Sequence, residues 1–178
     1  MLAIAIAILI ESGRPVFYCA RRVAQGGNPI SVVKFRTMQA DAERILSRLL
    51  REPRIAAEYR QNFKLRQDPR CTRLGRFLRR TSLDELPQLW NVLVGAMSLV
   101  GPRPIVAEEL PLYRSVPDGE AAYLAVKPGI TGLWQVSGRN ETTYEERVRL
   151  DVEYVRKRSL LADLRILLRT PGAALTGV

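Results

Sequence analysis

Histidine is absent from the 178 residues, and cysteine occurs only twice. Without histidine there is no Ser-His-Asp or Cys-His catalysis, no His-containing zinc site, and no unperturbed side chain that titrates near neutral pH. Carboxylates, lysine, tyrosine and cysteine remain as candidate acids, bases and nucleophiles. Cys19 and Cys71 stand far apart, outside metal-ligand or redox spacing, and read as reduced, partly buried thiols of a cytosol-facing protein. The glycine-rich stretch 129–138 contains no G-x-G-x-x-G, so no dinucleotide fingerprint is present. Internal repeats and low-complexity tracts are also missing.

Acid is scarce in the first half of the chain. Residues 1–80 carry 17 basic against 6 acidic side chains, whereas residues 81–178 carry 11 against 12, so the excess behind the net charge of +10 sits at one end. Residues 41–80 alone hold 12 basic and 5 acidic groups. Such a patch fits a solvated helical face or an anionic partner: nucleic acid, an acidic membrane surface, or phosphorylated substrates.

A long hydrophobic run is missing too. Met1 to Ile10 is apolar without a break, but crossing a bilayer takes about 20 such residues. The run is half a span, a re-entrant or interfacial segment, or a buried first helix. No basic region precedes it and no small-residue cleavage pattern follows it, which excludes a signal peptide. Arg14, Arg21 and Arg22 follow, as expected of a segment inserted from the cytoplasmic side with its cations at the headgroups.

The 47% hydrophobic content suits one folded domain. Val16–Tyr18 and Ile30–Phe35 flank Gln25-Gly26-Gly27-Asn28 and read as two short strands about a turn. Residues 39–66 read as helix interrupted at Pro53. Leu74, Phe77 and Leu78 beside Arg73, Arg76 and Arg80 predict a basic amphipathic helix, able to lie on anionic lipid or to pack on the core. Leu86, Leu89, Trp90 and Leu93 predict a helix over 83–94 closed by Gly95, opened by a Ser82–Glu85 capping box or by Asp84 as the cap. Met97–Val100 reads as a short strand or connector, 119–126 as a helix and 127–132 as turns. Thr142 with Glu145, or Thr143 with Glu146, opens a helix running to about Arg158. A last helix is expected from Leu160 to Arg169, stopped by Thr170-Pro171-Gly172. Trp90 and Trp134 read as core or interfacial aromatics.

Asp84 and Glu85 are adjacent carboxylates at a predicted helix start, where acidic residues are ordinary stabilisers. Their surroundings point further. Arg76, Arg79 and Arg80 lie just upstream, and Arg103 is held between two prolines. Arginine forks bind phosphate oxygens, and Mg²⁺ prefers one or two carboxylates plus substrate phosphates. Carboxylate, arginine and Mg²⁺ together point to phosphoryl chemistry, in which a carboxylate can serve as nucleophile.

Four ordered motifs carry a resemblance. These are Lys34-Phe35-Arg36-Thr37-Met38, the stretch from Asp68 through Leu93 containing Thr81-Ser82-Leu83-Asp84-Glu85-Leu86-Pro87-Gln88, Ser98-Leu99-Val100-Gly101-Pro102-Arg103-Pro104, and Lys127-Pro128-Gly129 through Gly138-Arg139-Asn140. They resemble the bacterial sugar transferase family, the monotopic polyprenyl-phosphate phosphoglycosyl transferases, over nearly the whole chain. The resemblance implies an enzyme that moves a sugar 1-phosphate from a UDP-sugar donor to a polyprenyl (undecaprenyl) phosphate acceptor and releases UMP. It implies Asp84 as the nucleophile of a covalent phosphosugar intermediate, Glu85 as the partner acid on Mg²⁺, and Arg79, Arg103 and Arg139 on substrate phosphates. Lys34, Arg36 and Thr37 match the family without an assigned role. Ala96 departs from it, standing where an acid commonly sits.

The fold so implied is a single α/β domain, mostly helical with short strands and with interfacial amphipathic helices. Residues 1–12 resemble the second half of a re-entrant N-terminal membrane helix, and residues 13–178 the catalytic domain. The expected location is the cytoplasmic face of the bacterial inner membrane, with no nucleic-acid partner. Two other readings stay open: a non-catalytic membrane-surface domain, and a basic nucleic-acid-binding module, although no nucleic-acid-binding motif accompanies the charge.

Overall fold

In the computed structural model, which describes residues 1–62, 65, 67–138 and 142–176, the apolar N-terminal run is helix α1 (Leu2–Ser12). Its inner face enters the core. Ile8 is 1% exposed and packs with Phe35 and Leu78, flanked by Ile4, Leu74 and Leu86. Its outer face, with Leu2, Ile6 and Ile10, is exposed. At its C-terminal end the buried Arg36 donates Nη2 to Ser12 O and Gly13 O, both at 2.7 Å, and Nη1 to Arg14 O at 2.9 Å. A cation there satisfies orphan carbonyls and complements the helix dipole.

The two expected strands are β1 (Phe17–Val23) and β2 (Pro29–Phe35), joined through a one-turn 3₁₀ segment at Gln25–Gly27. They pair antiparallel from Phe17 opposite Phe35 to Val23 opposite Pro29. Opposed residues share a face of such a ladder. One face of this hairpin therefore carries Tyr18, Ala20 and Arg22 from β1 with Lys34, Val32 and Ile30 from β2. Ala20 and Val32 form its buried floor. Cys19 points to the other face and is exposed rather than partly buried, whereas Cys71 is buried; both thiols are free.

Helices α2 (Ala42–Leu49) and α3 (Pro53–Asn62) divide where expected, with Pro53 opening the second. The basic amphipathic helix is α4 (Arg73–Arg80), capped by Thr72, whose Oγ1 accepts from Gly75 N at 2.9 Å. Leu78 and Leu74 turn inward, and Phe77 stays 48% exposed. Gly75 lets this helix lie directly on the end of the hairpin. A Cβ there would sit 2.0 Å from Thr37 O, and Thr72 N donates to that same oxygen at 3.0 Å.

The helix expected over 83–94 is shorter. Leu83–Glu85 is a single 3₁₀ turn, and α5 spans Gln88–Leu93. Ser82 takes left-handed angles, φ 56°, ψ 15°, and makes no side-chain cap bond, so the capping box does not form. Glu85 instead turns its carboxylate to two cations from elsewhere in the chain. Gly95 does close the helix, with φ 77°. Asn91 ties α5 to the hairpin, accepting from Val33 N at 3.0 Å and donating to Ser31 O at 2.7 Å, as a neighbouring strand would.

β3 (Ser98–Val100) is followed by α6 (Leu110–Arg114), α7 (Gly119–Ala125) and β4 (Gly129–Thr131). The residues expected as turns thus contain a strand, which pairs parallel to β3. Then come α8 (Leu133–Val136), α9 (Tyr144–Lys157) and α10 (Leu160–Thr176). The Thr143–Glu146 capping box opens α9 as expected. α10 does not stop before Pro171 but runs through it, because Ala173 beyond the proline packs in the same cluster as Val100, Val136, Tyr154 and Ile166. A second cluster centres on Ile105, Tyr113, Tyr123 and Val148. The result is one small domain, mostly helical with short strands. Among the described residues no helix is long and apolar enough to cross a membrane.

Candidate active site

The left-handed turn at Ser82 swings the 3₁₀ segment inward, leaving Asp84 8% exposed. Beside it, Glu85 Oε1 accepts from Lys34 Nζ at 2.7 Å and lies 3.1 Å from Arg103 Nη2. Burial works to raise the Glu85 pKa, but the charges of Arg103 and Lys34 outweigh it and bring the value down to about 2. Asp84 goes the other way. Burial and then the charge on Glu85 raise its pKa above the ordinary aspartate value, against the opposing pull of Lys34, Arg79 and Arg103. Burial in turn lowers the pKa of Lys34, which Glu85 counters.

The Lys34–Thr37 motif, unassigned by sequence, gains a job for each polar residue. Lys34 holds Glu85, Arg36 binds the carbonyls at the end of α1, and Thr37 Oγ1 accepts from Arg79 Nε at 2.8 Å. Arg79 is thereby placed where its charge acts on Asp84. Arg76 is turned elsewhere, donating Nη1 to Cys71 O at 2.9 Å. Of the expected site residues, Asp84, Glu85, Arg79 and Arg103 are thus brought together, and Arg139 lies outside the described residues.

Against this dyad lies a small pocket lined by Arg22, Val32, Lys34, Glu85, Gln88, Arg103, Pro104 and Ile130. Arg22 and Lys34 were missed by sequence reading as site residues. The signal that finds them is the hairpin register, which puts both on one face, on either side of the Ala20–Val32 pair. The backbone beyond Arg22 is fixed to the Arg103 segment: Val23 N donates to Ile105 O at 2.9 Å, and Tyr123 Oη donates to Val23 O at 2.7 Å while accepting from Ile105 N at 3.1 Å.

Among the described residues no three Asp, Glu or Cys side chains group to hold a metal alone. The dyad nevertheless suits Mg²⁺, which takes one or two carboxylates and completes its shell with water and phosphate oxygens. The shortest approach of each cation to Glu85 is at Oε1, and among the described residues no side chain hydrogen-bonds Asp84.

The chain matches the family described as "Bacterial sugar transferase" over residues 1–177. It is 49% identical to the "UDP-galactose-lipid carrier transferase" of Erwinia amylovora and 50% identical to the "Undecaprenyl-phosphate galactose phosphotransferase" of Salmonella typhimurium, each over 93% of this chain. It spans only 34% of the length of either relative. To the "Exopolysaccharide production protein ExoY" of Sinorhizobium fredii it is 46% identical over 92% of this chain and 71% of that protein.

Proposed function

The chain belongs to the bacterial sugar transferase family, and from that premise we propose that it transfers a sugar 1-phosphate from a UDP-sugar to undecaprenyl phosphate, releasing UMP. The observation that carries the proposal is the division of labour in the dyad: Glu85 is clamped and ionised, while its neighbour Asp84 is buried and, among the described residues, has no hydrogen-bonding side chain. A carboxylate so placed is available to attack phosphorus.

Asp84 attacks the sugar-bearing phosphorus of the donor. The new Asp84 Oδ–P bond forms as the bridging P–O bond breaks, and UMP leaves with the bridging oxygen. An oxygen of polyprenyl phosphate then attacks the same phosphorus and displaces the carboxylate, giving the polyprenyl diphosphosugar and restoring Asp84. Mg²⁺, when bound, supplies positive charge against the phosphate oxygens in both displacements. Glu85 with Asp84 would hold it. Arg103 and Arg79 neutralise charge on the phosphates, their guanidinium groups fixed by Glu85 and Thr37 respectively. Arg139 joins them by family resemblance. Lys34 keeps Glu85 turned toward the site.

A polyprenyl acceptor lives in a bilayer, and the exposed apolar side chains of α1 and α5 suit the membrane surface. Residues 1–12 then act as part of a re-entrant membrane helix at the cytoplasmic face of the inner membrane.

The test is UMP release by the detergent-solubilised protein given Mg²⁺, undecaprenyl phosphate and a panel of UDP-sugars. One donor should give UMP, and Asp84→Asn should abolish it while melting no lower than the wild type. Undiminished turnover in Asp84→Asn would sink the assignment of the nucleophile.

A further inference from the structure

We infer that Arg22 is a phosphate-binding residue of this site, acting with Arg103 on the anionic oxygens of a phosphate or diphosphate group in the pocket beside Glu85. The naming of that ligand as a substrate group rests on the proposed function; the anion site itself rests on the cations that line the pocket.

Three cations, Arg22, Lys34 and Arg103, line the pocket with Glu85 as its acid. Glu85 is already shared by Lys34 and Arg103. Among the described residues Arg22 has no carboxylate partner, and the hydrogen bond of its guanidinium goes from Nη1 to the backbone oxygen of Arg21 at 3.0 Å. The acid nearest in influence, Glu109, is spent elsewhere: its Oε2 accepts from Tyr144 Oη at 2.8 Å and from Arg147 Nη1 at 3.3 Å, and its Oε1 from Val106 N at 3.0 Å.

The backbone segments that carry the two arginines are tied to each other. Val23 and Ile105 bind each other's backbone, and the buried Tyr123 hydroxyl bridges the same two residues. Arg22 and Arg103 are thus next to a rigid joint on both sides of it. Burial first, and the charge of Arg103 second, lower the Arg22 pKa, and the charge of Glu109 offsets them only in part. A fold that anchors the backbone beside two arginines and has both line one pocket favours an anion there, and guanidinium forks match phosphate oxygens in geometry.

The experiment is calorimetric titration of the detergent-solubilised protein with inorganic pyrophosphate, for the wild type, Arg22→Gln and Arg22→Lys, with thermal melting of each. Loss of one charge-assisted contact should weaken Arg22→Gln by about tenfold or more, with Arg22→Lys in between. Equal affinity in the wild type and Arg22→Gln, or no binding by the wild type, overturns the inference. Should Arg22→Gln melt early, the wild type against Arg22→Lys carries the same comparison. Steady-state rates then identify the source of the phosphate. A raised KM for the nucleotide sugar places Arg22 on the donor diphosphate, a raised KM for polyprenyl phosphate places it on the acceptor, and both unchanged overturns it. A wild type inactive with every donor would remove the proposed function, and the pyrophosphate titration would still decide the role of Arg22.

Discussion

A carboxylate attacks only when ionised, yet burial and the charge on Glu85 raise the pKa of Asp84. Activity should therefore fall on the acidic side with a midpoint above the ordinary aspartate value of about 3.9. Glu85, with a pKa of about 2, stays ionised through that range and adds no second step. Lys34 is among the charges that pull Asp84 down, so Lys34→Met should move the acidic limb of kcat/KM to higher pH. A limb left in place would show that Lys34 does not act on Asp84. The same sign governs stability. A raised folded pKa favours the fold below the unfolded value and is a cost above the folded one, which is why Asp84→Asn should melt no lower than the wild type at neutral pH. At this scale the sequence was readable where partners are adjacent or set by a rigid dipeptide: Asp84 with Glu85, and Arg103 between its prolines. Lys34 and Arg22 were not, because their place depends on which residues of β1 and β2 stand opposite one another, and alternation alone does not say what covers that face.

Between elements, α4 crosses the segment just beyond β2, with Gly75 at the crossing. Its missing Cβ would stand 2.0 Å from Thr37 O, a backbone atom that cannot swing away. Gly75→Ala should push α4 outward, breaking the Thr72 N to Thr37 O and Arg79 to Thr37 bonds. The expected cost is about 2 kcal/mol in denaturant unfolding, with turnover falling further than stability alone explains. Unchanged unfolding would show that the helix tolerates the shift. Elements defined by local signals, such as the apolar stripe of α4 and the Thr143–Glu146 box of α9, were legible in the sequence. Those decided by distant contacts were not. The Ser82–Glu85 spacing promised a cap, but Lys34 and Arg103 claim Glu85; Pro171 promised a stop, but packing beyond it continues α10; and β4 has no partner until the chain brings it beside β3.

Over the whole molecule, the basic excess lies in residues 1–80, while exposed apolar side chains come from both halves of the chain. Trp90 and Leu93 of α5 are 62% and 79% exposed, and α1 adds Leu2, Ile6 and Ile10 to the exposed apolar surface. The protein should sediment with vesicles containing anionic lipid, less so at high salt, and Trp90→Ser with Leu93→Ser should weaken that partition by about tenfold. Failure of the wild type to bind such vesicles would sink the membrane assignment. The guanidinium of Arg36 gives this surface a timetable. Ser12 and Arg36 are 24 residues apart in the chain, and the clasp between them forms only when the second hairpin strand is in place. During synthesis the apolar helix exists before its fastener does. On the proposed membrane assignment, α1 would settle at a lipid surface first, and the rest of the domain would then assemble onto a helix already moored.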